Sequence, residues 1–130
     1  MSEASNAIGQ SFRPSHQEQC VIDAESTIQS YFEALEDADC RDILDTTTHE
    51  SLSASQISER LDLPLSTTYR KLELLTEPGL LDESVRIRKS GKHTSEFTRG
   101  IGEVTVSIEA HRGTVLRVTA HEPSIEAAAD

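Results

Sequence analysis

The stretch LDLPLSTTYRKLELLTEPGLL, Leu61 to Leu81, decides the fold. Leu65, Thr68 or Tyr69, Leu72 and Leu75 recur at helical spacing and predict one apolar stripe. Thr67, Arg70, Lys71 and Leu74 fall at i, i+3, i+4 and i+7 on the other side, where they offer hydroxyl, guanidinium and ammonium groups to something outside. Ser66 is placed to cap this helix, Pro64 stops the preceding one from running on, and Gly79 supplies the left-handed residue that commonly ends a helix. Just upstream, Ser53 with Gln56 makes a capping box for a short helix whose buried stripe is Ala54, Ile57 and Leu61. Asp62 fills the tight turn between them, where Asp tolerates a left-handed backbone. The pattern is a helix-turn-helix whose second helix is free to read a partner.

Downstream the period changes from 3.6 to 2. Val85 and Ile87 alternate with Arg86 and Arg88, and Phe97 follows across the turn Ser90-Gly91-Lys92, which predicts a β-hairpin with one apolar and one basic face. Helix, turn, helix and basic hairpin make the winged arrangement, in which the second helix enters the major groove of double-stranded DNA and the wing lies along phosphates. Val104, Val106 and Ile108 then alternate with Thr105 and Ser107, Arg112-Gly113 turns, and Val115, Leu116 and Val118 return. This second hairpin is too apolar to stand free, so it packs on the winged core or on another subunit.

Upstream, Ser26 is placed to cap a first helix with Ile28, Tyr31, Phe32 and Leu35 on one face. A second helix starts near Asp39, turns Cys40, Ile43 and Leu44 inward, and ends at Thr46-Thr47-Thr48, where β-branching weakens helix. The expected class is therefore α+β, a winged helix-turn-helix of three to four helices and a wing with an additional C-terminal β-hairpin. Its divisions are a disordered arm over 1–22, the winged domain over 23–100, the second hairpin over 101–120 and a disordered tail over 121–130.

Among 130 residues, 23 are Asp or Glu and 12 are Lys or Arg, a net charge of −11. Only Lys71, Lys89 and Lys92 are lysines, and an acidic, lysine-poor surface resembles that of proteins from extreme halophiles. The charge is segregated. From Ser84 to Arg99 five basic residues face Glu96 alone, a net of +4, which leaves −15 for the rest. A nucleic-acid face on an acidic body has this distribution. No membrane-spanning run or signal pattern is present, which predicts a cytoplasmic protein.

Two parts of the chain resemble the ArsR-like winged helix-turn-helix regulators of archaea. YFEALEDADCRDIL, Tyr31 to Leu44, resembles that family's opening pattern of an Ala-Leu pair, a break, and Arg before Ile-Leu. QISERLDLPLSTTYRKLELLTEPGLL, Gln56 to Leu81, resembles its paired helices and is also similar to part of IclR-type regulators. The resemblance covers roughly Tyr31 to Arg99. It implies a homodimer on a promoter palindrome, with one reading helix per half-site. Cys40 stands where the family often has Arg, and Pro78 replaces a small residue before Gly79. The paired cysteines of metal-sensing members are missing from the reading helix. So is the long C-terminal helix of many dimers, which leaves the first helix or the second hairpin to join the subunits.

Ser55, Gln56, Ser66, Thr67, Thr68, Arg70, Lys71, Arg86, Arg88, Lys89 and Lys92 are the candidate DNA contacts. Arg70 is suited to read guanine bidentately. Tyr69 shares the spacing of Leu65 and Leu72, which favours the core over stacking or a phosphate bond. Cys40 reads as a small apolar residue, with a redox switch beside the dimer surface as the alternative. A Cys20–Cys40 pairing stays open. Histidine spacing gives no metal motif, and no phosphate loop, nucleophile elbow or carboxylate pair suggests an enzyme, a cofactor or a small-molecule substrate. Two functions remain in view, a transcription regulator and a winged-helix protein–protein module.

Overall fold

A computed structural model describes residues 19–87 and 89–122. Strand β1 (Cys20–Ile22) is followed by helices α1 (Glu25–Leu35), α2 (Ala38–Thr46), α3 (Ala54–Leu61) and α4 (Leu65–Thr76). Strands β2 (Leu81–Ile87), β3 (His93–Arg99), β4 (Ile101–Glu109) and β5 (Gly113–Ala120) complete the chain. The architecture is α+β, a winged helix-turn-helix carrying a second hairpin.

The helices close over one aliphatic core. Ile28, Tyr31 and Ala34 of α1 meet Cys40 and Ile43 of α2, Ile57 of α3, and Leu72 and Leu75 of α4. Each helix buries one stripe, as its 3.6-residue period requires. Two caps differ from the expected ones. Helix α1 starts at Ala24 with no side-chain cap rather than at Ser26, and α2 is capped by Asp37, whose carboxylate accepts from Cys40 N at 3.1 Å, rather than by Asp39. Asp37 lies at the β-region dihedrals an N-cap needs, whereas Asp39 is already the second residue of the helix.

The wing is β2 paired antiparallel with β3, in the register Leu81↔Arg99 to Ile87↔His93. Its base is extended by Leu52, which exchanges both backbone bonds with Phe97, at 3.0 and 2.7 Å. Only the base is apolar and buried, at Leu81 and Phe97. Val85 and Ile87, on the same face, project beyond the core into solvent.

The second hairpin forms a separate sheet in the order β1-β5-β4. It packs on the chain's own core through Leu116 and Val118. The sequence placed residues 1–22 in an arm, but Cys20, Val21 and Ile22 pair with Val118, Arg117 and Leu116. Cys20 and Ile22 pack against the core, which holds the segment in place. The tail is likewise docked at its start, because His121 Nε2 meets the Thr48 carbonyl at 2.8 Å and His121 N donates to Gly100 O at 3.0 Å. The remaining arm and tail, 1–18 and 123–130, lie outside the described residues. Among the described residues no helix is long and apolar enough to cross a membrane.

Candidate nucleic-acid interface

The helix-turn-helix is built as its local sequence demands. Ser53 Oγ accepts from Gln56 N at 3.2 Å while Gln56 Oε1 accepts from Ser53 N at 2.9 Å, the reciprocal capping box. Asp62 ends α3 at φ 57° and ψ 49°, and Gly79 at φ 93° closes the end of α4. Helix α4 begins two residues earlier than Ser66 would set it. Pro64 is the N-cap, and its carbonyl accepts from Thr68 N at 2.9 Å and Thr68 Oγ1 at 3.0 Å.

That double bond decides which residues α4 shows to the outside. The position left open between Thr68 and Tyr69 goes to Thr68, which is fully buried with Leu72 and Leu75. Thr68 therefore cannot reach DNA. Tyr69 turns outward and is 55% exposed, the reverse of the core role expected for it. A shift of one residue rotates a helix face by about 100°, so the outward row is Ser66, Tyr69, Arg70 and Glu73, with Thr67 half-buried at its margin. Arg70 has no hydrogen-bond or ion-pair partner among the described residues.

Lys71 also leaves the candidate set. Its side chain is 12% exposed and its ammonium is ion-paired to Asp37 Oδ2, the cap of α2. This contact pushes the Lys71 pKa up and holds the Asp37 carboxyl below its usual range. Lys71 thus fastens α4 to α2 and is not free for a phosphate.

The wing is less cationic than its sequence. Arg86 is paired with Glu96 at 3.2 Å while remaining exposed. Arg99 is tied inward, with Nε donating to Ile101 O at 2.8 Å and its terminal nitrogens donating to Thr48 Oγ1 at 3.2 Å and Gly102 O at 2.8 Å. Lys89 and Lys92 are exposed at the tip, without partners among the described residues. Arg88 lies outside the described residues.

Three elements converge on one open cleft of about 640 Å³. Ser53 and Ser55 come from the start of α3, Tyr69 and Glu73 from α4, and Glu83, His93 and Ser95 from the wing. Ser55 and Gln56 are both exposed there or beside it. The cleft joins the outward row of α4 to the inner face of the wing.

Residues 35–84 match the model of a helix-turn-helix domain. Among solved structures, HlyU from Vibrio cholerae N16961 is similar, at 23% identity over 57% of this chain and 75% of that one, with a TM-score of 0.45. A possible transcriptional regulator from Methanosarcina mazei Go1 is similar at 19% identity over 62% of this chain and 73% of that one, also with a TM-score of 0.45. Comparison with curated proteins gives no match.

Helix α2 carries Cys40, whose surroundings disagree with a redox switch. The thiol is fully buried between helices, and burial, with Asp37 nearby, pushes its pKa up to about 11. The reactive species is the thiolate, which this environment suppresses. Cys20 is half-buried on β1, and both cysteines are free thiols. Among the described residues no group of three His, Cys, Asp or Glu side chains could hold a metal ion.

The outward placement of Tyr69 is the feature that spacing misassigned. Thr68 and Tyr69 both fit the apolar period, and the signal that separates them is Pro64 four residues before Thr68. A hydroxyl that shares the N-cap carbonyl with its own backbone N–H can be buried at little cost, whereas a phenol at that depth needs its own partner.

Proposed function

We propose that this chain is a sequence-specific DNA-binding transcriptional regulator, acting in the cytoplasm of an extreme halophile as a homodimer on a promoter palindrome. One observation carries the reading: Arg70 stands exposed, without a partner among the described residues, at the centre of the outward face of the second helix of a helix-turn-helix. A guanidinium held there on a capped, core-packed helix is suited to bidentate contact with guanine O6 and N7. Ser66 and Tyr69 flank it, and Ser55 at the start of α3 offers a hydroxyl to the backbone. Lys89 and Lys92 extend the contact along the wing.

The acidic remainder of the surface is compatible with this in strong salt. At about 1 M the Debye length is only about 3 Å, so repulsion from distant carboxylates is screened along with long-range attraction. Binding then rests on close contacts and apolar burial, and the exposed Val85 and Ile87 on the wing supply apolar surface beside the cleft. A winged-helix module for a protein partner is the second reading, favoured by Glu73 and Glu83 at the same cleft.

A fluorescence titration of the full chain against its own upstream DNA, in molar potassium chloride, separates the two. Binding that disappears with Arg70→Ala supports the regulator. Absence of DNA affinity at any salt concentration contradicts it.

A further inference from the structure

Strand β4 is the outer strand of the β1-β5-β4 sheet. Among the described residues no strand pairs with its free side, so it turns a row of backbone N–H and C=O groups outward. Arg99 occupies the carbonyls of Ile101 and Gly102, so the open length begins at Glu103. From Val104 to Ile108 the strand reads Val-Thr-Val-Ser-Ile, with none of the charges or prolines that ordinarily guard an edge.

The side chains make the same demand as the backbone. Val104, Val106 and Ile108 stand opposite Val118, Leu116 and Thr114 of β5 and therefore share the face that carries Leu116 and Val118 into the core. Val104 packs against that core, but Val106 and Ile108 run past it and are 50% and 78% exposed. An occupant must bring an unpaired strand and an apolar residue at every second position. A second β4 brings both. The other edge, β1, is only three residues long and cannot form a comparable ladder.

We propose that two copies of this chain join by antiparallel pairing of their β4 strands, giving one six-stranded sheet. This names the subunit contact for the homodimer of the preceding section. A two-fold axis perpendicular to the sheet keeps every side chain on its own face. Centred on Val106, it sets Val104 against the partner's Ile108 and Thr105 against the partner's Ser107, apolar on apolar and hydroxyl on hydroxyl. Glu103 then meets the partner's Glu109. Within one chain, the Glu109 carboxylate is already neutralised by Arg117 at 2.8 Å and Arg112 at 3.6 Å.

The test uses the full chain in molar potassium chloride, with mass from light scattering and hydrogen exchange on the β4 amides. The expected result is twice the chain mass, with the outward-facing alternate amides of 103–108 protected and that protection lost on dilution to the monomer. Ile108→Lys and Val106→Lys, both on exposed side chains, should raise the dimer dissociation constant at least tenfold while the thermal melt stays cooperative. A dimer that survives both substitutions overturns the proposal, as does a monomer whose outward-facing β4 amides exchange freely. Protected outward-facing β4 amides in a species of single-chain mass also overturn it, because a segment of the same chain then covers the edge. DNA affinity measured on the same variants keeps the two readings apart. A dissociated variant that still binds a half-site leaves DNA reading intact, and an intact β4 dimer without DNA affinity removes only that reading.

Discussion

Lys71 of α4 is ion-paired to Asp37, the residue that caps α2. Two elements distant in sequence are thereby held at one point, and the carboxylate serves a helix N-terminus and an ammonium together. The pair fastens α4 to α2, while burial of Thr68, Leu72 and Leu75 sets which face of α4 turns outward. Arg70 lies on that outward face.

The pair makes stability depend on pH at both ends of the scale. The Asp37 carboxyl titrates below its ordinary value because Lys71 donates to it, so its contribution is complete above about pH 4 and is lost as pH falls through the lower folded value. The Lys71 ammonium titrates above its ordinary value because of Asp37, so its contribution is complete below about pH 10 and is lost as pH rises through the higher folded value. The Tm difference between the native chain and Lys71→Met should be constant between these limits and shrink outside them. Asp37→Ala removes the cap as well and should cost about 1 kcal/mol on that account alone. A Tm difference that does not change between pH 3 and pH 6 would contradict the role given to the pair.

Thr68 and Tyr69 should separate stability from binding. Thr68→Val removes a buried hydroxyl bonded to Pro64 O at 3.0 Å and should destabilise by about 1 kcal/mol, measured by urea unfolding. Tyr69→Ala acts on an exposed side chain and should change stability by less than about 0.5 kcal/mol. It should nevertheless weaken DNA binding about fivefold, the equivalent of one polar contact. The opposite pattern would return Tyr69 to the core.

Much of this was legible in the chain. The capping box Ser53–Gln56, the left-handed Asp62, Gly79 after α4 and both hairpins follow from local rules, because each depends on residues a few positions apart. What could not be read depends on distant partners. The pairing of Lys71 with Asp37 spans 34 positions, and the inward ties of Arg99 reach Thr48. Counting charges from Ser84 to Arg99 gives the wing a net of +4, yet Glu96 meets Arg86 and Arg99 is tied inward to Thr48. Strand β1 was missed because three residues are too few for a period to appear.

Cys40 should be inert in the folded chain. Its thiol is fully buried with its pKa pushed up to about 11, so a thiol reagent at neutral pH should label Cys20 first and Cys40 only on unfolding. Mild peroxide should leave DNA affinity unchanged. A loss of affinity that reductant reverses and Cys40→Ser abolishes would restore the redox switch.

Salt dependence should be shallow for a DNA binder. With Arg70 directed at a base, Lys89 and Lys92 are the free wing cations among the described residues, giving four phosphate contacts per dimer. At about 0.9 per contact, the slope of log K against log salt should be about −4, against about −10 for a strongly electrostatic repressor. A slope near −10 would show that the acidic surface binds through many more cations than these.

The most direct measurement is the ratio of affinities for the operator and a scrambled duplex, taken for the native chain, Arg70→Ala and Lys71→Ala in the same molar salt. Loss of a bidentate guanine contact should lower the ratio by about 5- to 150-fold for Arg70→Ala. Lys71→Ala should lower stability and leave the ratio close to native at temperatures where the variant is folded. An unchanged ratio for Arg70→Ala, with discrimination lost instead in folded Lys71→Ala, would contradict the assignment of the outward face of α4 as the DNA-reading surface.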